Sequence, residues 1–469
     1  MKNLIACYLL LCVSSAAIGQ LKEMTAVDAV FSDWDKPNTP GGAVGIIQDG
    51  KLMYAKGYGI ADLEHDVKIT PSSVFYIGSV SKQFVTFCIL LLEEQEKLDL
   101  DDNIQKYFPD FPEYGSPLTI RHFIHHTSGV RDYLTLMFLK GRNYLDEISV
   151  EEVYELIKRQ AELNFTPGDQ YLYSNSCYFM LALIVEQVSG ESIRNFAKKN
   201  IFDPLGMMHS QFYDDNTDLI KNRVFSYEVN EEKEMGFNNL INRFELVGSG
   251  GVYSTIEDLY LWDQNFYHNK LGKGGQAIIT KMHQEGILNN GESSGYAFAI
   301  NNGEYRGLKT VSHGGALAGF RSHLVRFPEQ KFSVVIVANR ADANPGDRSY
   351  QLADIFLKDK LAPVPPRTGK PEAGKEAAAE LSGAPTVIKN ADYPGNYFCE
   401  ELDVSYSLFE EDNVLKVKIP SMSAKKFEVI AADQLTADGI TFYFTRENGK
   451  VTGFRLDAGR VKNLSFVKK

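Results

Sequence analysis

The sequence predicts an α/β (α+β) fold followed by a small all-β unit. Three observations carry this expectation. Strand signals flank a long, mostly helical middle: a hairpin pattern begins near Thr39, and a β-rich run returns at Phe332–Ala338. Between them, the stretch from Ser79 to about Leu92 is apolar on nearly every face, as expected of a buried helix. After a Pro-rich stretch beginning at Pro363, the chain has only short alternating runs and turn pairs.

The hairpin is read from an apolar run at Ala43–Ile47, the turn pair Asp49-Gly50, and alternation resuming over Leu52–Tyr58. A loop through Thr70-Pro71 leads to Ser79, where the apolar helix begins. A second helix is expected from about Ser176 to Val188, ending at Gly190. Strands are expected again at Leu308–Ser312 and Phe332–Ala338. Pro363, Pro365, Pro366 and Pro371, followed by a Lys-, Glu- and Ala-rich run, read as a linker over residues 362–391. The remaining residues, 392–469, with runs at Val414–Ile419 and Thr441–Thr445 and turns at Asp412-Asn413 and Asn448-Gly449, read as a sandwich or barrel.

The N-terminus has the pattern of a secretory leader over residues 1–19. Lys2 precedes an apolar run from Leu4 to Val13, and small residues follow up to Gly19, so the mature chain is expected to begin at Gln20. The run is too short to span a bilayer, and no later segment is long enough. A soluble, periplasmic or secreted protein is therefore expected. Leu4-Ile5-Ala6-Cys7 has the shape of a lipoprotein processing site, but too little apolar sequence precedes it, so no lipid anchor is expected. Cys88, Cys177 and Cys399 remain in the mature chain; an odd number is not a disulfide framework, and a Cys88–Cys177 bridge is left open. The net charge of −12 argues against a nucleic-acid partner, because phosphate neutralisation needs basic surface.

Three short motifs carry chemistry. In Ser79-Val80-Ser81-Lys82, residues three apart on a helix share a face, so the lysine amine can reach the serine hydroxyl. A serine hydroxyl needs a base to become a nucleophile, and lysine serves if burial lowers its pKa. The helix N-terminus would also offer backbone N–H groups to an oxyanion. Alone, the pair reads more readily as a surface serine and lysine. In Tyr173-Ser174-Asn175, a phenol acidified by a neighbouring ammonium could relay a proton, and Asn175 could orient that lysine; a helix N-cap at Ser174 or Asn175 is the plainer alternative. In His313-Gly314-Gly315, the glycines would let another group approach a strand end closely, the Ala316 N–H could face an oxyanion and His313 the substrate; a tight turn is the alternative.

Taken in order, Ser79-x-x-Lys82, Tyr173-x-Asn175 and His313-x-Gly315 resemble the three motifs of penicillin-binding-protein-like serine hydrolases, the group of class C β-lactamases, D-alanyl-D-alanine carboxypeptidases, D-aminopeptidases and related esterases. Flanking blocks agree: Phe75–Phe84, His126-Thr127-Ser128-Gly129-Val130, Gly250-Gly251-Val252-Tyr253-Ser254 with Asp258-Leu259, and Gly319-Phe320. The resemblance covers roughly residues 39–361 and implies a β-lactamase/transpeptidase-like hydrolase domain over residues 20–361. It implies an antiparallel sheet flanked by helices, with an inserted helical lobe and the site at their junction. It further implies a Ser79 acyl-enzyme, proton work shared by Lys82 and Tyr173, an oxyanion hole from the Ser79 and Ala316 N–H groups, and Asn175 holding Lys82 or the substrate. The C-terminal unit from Tyr393 resembles the lipocalin-like barrel appended to many such hydrolases.

The expected substrate is a small peptide, amide or ester, with a peptide or amide favoured over a simple ester and a D-amino-acid peptide among the candidates. An esterase, a β-lactamase, or a catalytically silent binding protein of this fold are the alternatives. His313 stands where the β-lactamases of the group usually carry lysine, and a neutral imidazole is a weaker carboxylate clamp, so efficient β-lactam turnover is not expected. No cofactor and no metal are expected: His122, His125 and His126 lack carboxylate or cysteine partners at ligand spacing. The sequence does not address oligomeric state.

Overall fold

The computed structural model describes residues 22–363 and 392–469. The leader expected over residues 1–19 lies outside the described residues, as does nearly all of the linker expected over residues 362–391.

The main sheet has six antiparallel strands: β1 (Gly42–Gln48), β2 (Lys51–Tyr58), β3 (Asn301–Tyr305), β4 (Leu308–Leu317), β5 (Phe320–Phe327) and β6 (Phe332–Ala338), in the spatial order β3-β4-β5-β6-β1-β2. The hairpin β1–β2 forms where the alternation places it, and its Asp49-Gly50 turn has positive φ at both residues, as a type I′ turn requires. Strand β6 is buried along its whole length. The reason is that both sheet faces are covered: Val334 and Ile336 pack with Trp34, Phe31 and Leu352 on one side, while Val335 and Val337 join the core of the helical lobe on the other. A helix over residues 22–30 and α5 (Pro345–Phe356) belong to the first side.

The helical lobe is built around α1 (Lys82–Glu94), in which every residue from Lys82 to Leu92 is buried. Packed against it is α3 (Asn175–Ser189), which ends at Gly190 in the left-handed region. Thr86 on α1 donates to the Tyr178 hydroxyl on α3, and Trp262 Nε1 in α4 (Ile256–Asn265) donates to Gln83 Oε1. A short helix, α2 (Tyr133–Leu139), is capped by the Asp132 carboxylate.

Two local departures matter for the site. The Ser79 segment is not the first turn of the α-helix but a separate 3₁₀ turn, Gly78–Ser81, leading into α1. Strand β4 does not end at Ser312; it runs through His313, Gly314 and Gly315 to Leu317, and the chain reverses only at Ala318-Gly319. The glycines therefore lie inside a strand, where they permit close approach of a neighbouring segment.

The C-terminal residues form a nine-stranded antiparallel sheet curled into a nearly closed barrel, around a core including Tyr397, Phe442, Phe454, Leu464 and Phe466. Its Asp412-Asn413 and Asn448-Gly449 turns have positive φ at both positions. Cys88, Cys177 and Cys399 are all buried and unpaired, so the Cys88–Cys177 bridge left open by the sequence does not form. No helix among the described residues is long and apolar enough to cross a membrane.

Candidate active site

Ser79 lines a cleft of about 570 Å³ between the sheet and the helical lobe. A 3₁₀ turn eclipses residues three apart, which points Ser79 and Lys82 the same way. Lys82 Nζ lies 3.0 Å from Ser79 Oγ. The lysine is 0% exposed. Burial holds its pKa well below the ordinary lysine value, and the Arg460 guanidinium pushes the same way against the opposing pull of Asp132.

The other partners of Lys82 fix its orientation. It donates to Asn175 Oδ1 at 2.9 Å and to the backbone carbonyl of Ser249. Asn175 cannot flip, because its Nδ2 and backbone N–H both donate to Asp132 Oδ2, at 2.8 and 2.7 Å. Asp132 is almost wholly buried and also caps α2. The side chain of Asn175 is thus spent on Lys82 and Asp132, and neither it nor Ser174 caps α3.

Strand β4 and the 3₁₀ turn Gly78–Ser81 are pressed together. A Cβ on Gly315 would stand 2.1 Å from the Ile77 carbonyl oxygen and 2.9 Å from the Ser79 nitrogen. Gly78 has φ +54°, and a Cβ there would stand 2.5 Å from the Ala316 nitrogen. Glycine at both positions brings the Ser79 and Ala316 amides around one small space. Ser322 on β5 fastens the arrangement from behind, donating to the Ile77 carbonyl at 2.7 Å. Two backbone amides packed this closely beside a serine hydroxyl are the kind of group that stabilises an oxyanion.

Tyr173 lies beside this group, with Lys82 Nζ 4.9 Å from its ring centroid. Sequence reasoning expected an acidified phenol. The structure gives the opposite: burial pushes the Tyr173 pKa up, and the neighbouring Ser79 hydroxyl and the Arg460 guanidinium offset only part of it. Tyr173 therefore stays protonated and can act as a donor, not as a ready base.

His313 lines the cleft, yet both ring nitrogens are engaged. Nδ1 lies 2.6 Å from the Gly314 carbonyl, which can only accept, so Nδ1 carries the proton. Nε2 then accepts from the Tyr296 hydroxyl at 3.0 Å. Burial, reinforced by Lys82, lowers its pKa to about 3, so the ring is neutral. The three histidines near the preceding loop do not converge on one point: His122 completes the Thr119 capping box, His125 Nδ1 meets the Tyr296 carbonyl, and His126 Nδ1 accepts from the Ser174 N–H.

All the residues singled out from the sequence, Ser79, Lys82, Tyr173, Asn175 and His313–Ala316, meet at this cleft. Sequence reasoning missed Asp132, Ser249, Tyr296 and Arg460. Asp132 follows the noted His126–Val130 block and Ser249 precedes Gly250-Gly251, but neither spacing signals a role. Arg460 comes from the barrel, and no sequence signal connects it to the site.

A buried amine against a serine hydroxyl, with paired amides beside it, defines a serine hydrolase of the acyl-enzyme class. The chain belongs to the Beta-lactamase family, whose model matches residues 26–356. It is 29% identical over 339 residues to penicillin-binding protein 4* of Bacillus subtilis (strain 168), covering 68% of this chain and 72% of that protein. It is also 29% identical over 318 residues to the D-aminopeptidase of Brucella anthropi, covering 68% of this chain but only 59% of that enzyme. Among solved structures, the octameric penicillin-binding protein homologue from Pyrococcus abyssi superposes with a TM-score of 0.63 at 21% identity. That match covers 95% of this chain and 99% of the other, and so extends over the barrel.

Proposed function

We propose that this protein cleaves an amide bond in a small peptide-like substrate through an acyl-enzyme on Ser79. The observation that carries the reading is the wiring of Lys82. Asn175 Oδ1 and the Ser249 carbonyl can only accept, so a neutral Lys82 spends its two N–H groups on them and aims its lone pair at the Ser79 hydroxyl. The lowered pKa makes that neutral form accessible.

In this reading, Ser79 Oγ attacks the substrate carbonyl carbon as Lys82 takes the hydroxyl proton. The oxyanion is held by the Ser79 and Ala316 N–H groups. Tyr173, kept protonated by burial, donates to the leaving nitrogen and is reprotonated from Lys82. Water then attacks the acyl carbonyl with the same groups working in reverse. The D-aminopeptidase relative supports an amide over an ester substrate. The leader pattern at residues 1–19 supports export to the periplasm or beyond, which a protein beginning at Gln20 in the extracellular or periplasmic fraction would bear out.

The test is a panel on purified protein: D- and L-aminoacyl anilides, an N-acyl-D-dipeptide, a chromogenic cephalosporin and short-chain nitrophenyl esters. Ser79 should form a mass-detectable fluorophosphonate adduct that Ser79→Ala lacks, and amide turnover should vanish in the same variant. Absence of the adduct on folded wild-type protein would refute the reading. Fast turnover of esters alone would reassign the substrate.

A further inference from the structure

We propose that a second, apolar pocket beside the catalytic cleft, walled by α2, the loop after it and the C-terminal barrel, binds an apolar chain of the substrate. The proposal deepens the amide-hydrolase reading above by naming a substrate class, and it rests on that reading for the identity of the cleft.

The pocket holds about 500 Å³, within the ~300–1,000 Å³ of small-molecule sites. Its apolar walls come from separate parts of the chain. Helix α2 supplies Leu134, Met137 and Phe138, the loop after it ends at Ile148, strand β4 supplies Leu317, and the barrel supplies Met422.

These walls are fixed against one another. The barrel seats directly on the loop after α2: Gly141 has φ +82°, and a Cβ there would stand 2.4 Å from the Pro420 carbonyl oxygen. The Tyr406 hydroxyl of the barrel donates to the Leu139 carbonyl at 2.7 Å. Within the loop, the Arg142 N–H donates to the Met137 carbonyl at 2.9 Å, and the Asn143 N–H donates to Asp146 Oδ2 at 2.8 Å. The pocket is therefore preformed, and it exists only because the barrel docks here.

Position and chemistry together say what fills it. Leu134 and Leu317 line both this pocket and the cleft that holds Ser79. Leu317 follows Ala316 on β4, so about 3.3 Å of strand separates the amide assigned to the oxyanion from the shared wall. A substrate whose carbonyl lies at Ser79 can extend directly into the pocket. The charged groups of the lining are already paired: Arg142 meets Asp146 at 3.3 Å and Glu152 at 2.7 Å, and donates to the Glu147 carbonyl at 2.9 Å. Asn143 Oδ1 accepts from the Leu145 N–H at 2.9 Å. By contrast, Phe138 is 44% exposed and Tyr144 40%. An ionic group gains no free counter-charge in this lining, whereas an alkyl chain removes its aromatic and aliphatic faces from water.

The test is equilibrium binding to the Ser79→Ala protein, so that it stands apart from turnover. Calorimetry compares N-acetyl-D-alanine amide with two ligands that carry an octyl-length chain on either side of the terminal amide bond, N-octanoyl-D-alanine amide and N-acetyl-D-alanine octylamide. At least one of the two should bind about tenfold or more tighter than the short ligand, the worth of burying roughly two methylene groups. Phe138→Asp and Met422→Asp, each adding a carboxylate to the pocket, should each erase that preference, and Met422→Leu should keep it. Thermal unfolding checks that the variants fold. Equal binding of the three ligands, a preference that survives either aspartate variant or is lost in Met422→Leu, or no binding of any ligand at millimolar concentration would overturn the proposal. Failure of the amide-hydrolase reading would show separately, as wild-type protein that prefers the chain yet turns over no amide.

Discussion

At the scale of single residues, the chemistry turns on one buried amine. Lys82 has its pKa depressed by burial, so its neutral, proton-accepting form prevails above a pH well under the ordinary lysine value. In the proposed mechanism the working form is the deprotonated one, so activity should be lost as pH falls through that folded-state pKa. The kcat/KM profile should therefore show an acid limb with a slope of one proton. Histidine should not supply it, since His313 stays neutral down to about 3. Lys82→Arg, which puts a permanent cation at the base position, should lower kcat by about 10²–10⁴-fold at every pH, measured by steady-state kinetics. A variant that kept the wild-type acid limb and rate would remove Lys82 from the role of base. Asn175 makes a second residue-scale case. Asn175→Asp would set a carboxylate against Asp132 and beside Lys82; the lysine pKa should rise and the acid limb should move to higher pH.

At the scale of elements, the site is a contact between strand β4 and the 3₁₀ turn Gly78–Ser81. The closeness of that contact depends on having no side chain at Gly315. Gly315→Ala places a methyl group against the Ile77 carbonyl and the Ser79 nitrogen, both backbone atoms that cannot swing aside. The turn must then lift away from the strand, separating the two amides. Loss of one oxyanion donor costs about 10²–10³-fold in kcat. Stopped-flow acylation should show a fall of that order in Gly315→Ala, with the circular dichroism spectrum unchanged. The same element contact explains why the β4 boundary was misplaced in sequence. Two adjacent glycines read as a turn, whereas here they serve a strand that another backbone crosses.

At the scale of the whole molecule, the barrel is coupled to the hydrolase sheet and lobe through Arg131. Its side chain is wholly buried, and it donates to Glu401 Oε2 at 2.5 Å, to Gln160 Oε1 and to the Lys462 carbonyl. Glu401 and Lys462 belong to the barrel, and Arg131 adjoins Asp132, which orients Asn175. The Tyr406 hydroxyl adds a second tie, donating to the Leu139 carbonyl at the end of α2. Removing the carboxylate leaves a buried cation without its counter-charge. Glu401→Ala should therefore destabilise the protein by about 3–5 kcal/mol, read from urea unfolding. A loss below 1 kcal/mol would mean the barrel docks on other contacts.

By itself, the sequence determined the elements whose cause is local. The hairpin β1–β2, strand β6 and helix α3 with its Gly190 stop follow from apolar periodicity and turn chemistry, which act over a few residues. It also marked Ser79 and Lys82, because spacing along one turn determines whether two side chains can meet. Tertiary structure alone decided the rest. That Tyr173 is held protonated instead of acidified depends on burial by distant segments, and burial is a property of the folded interior. That Asp132 orients Asn175, that His313 is spent on Tyr296, and that Arg460 reaches the cleft all depend on contacts between residues 17 to more than 300 positions apart, or on the docking of one sheet against another. The choice of Ser79 as the proposed nucleophile was thus a matter of local spacing. The charge it works in was set by which distant segments the fold brings beside it.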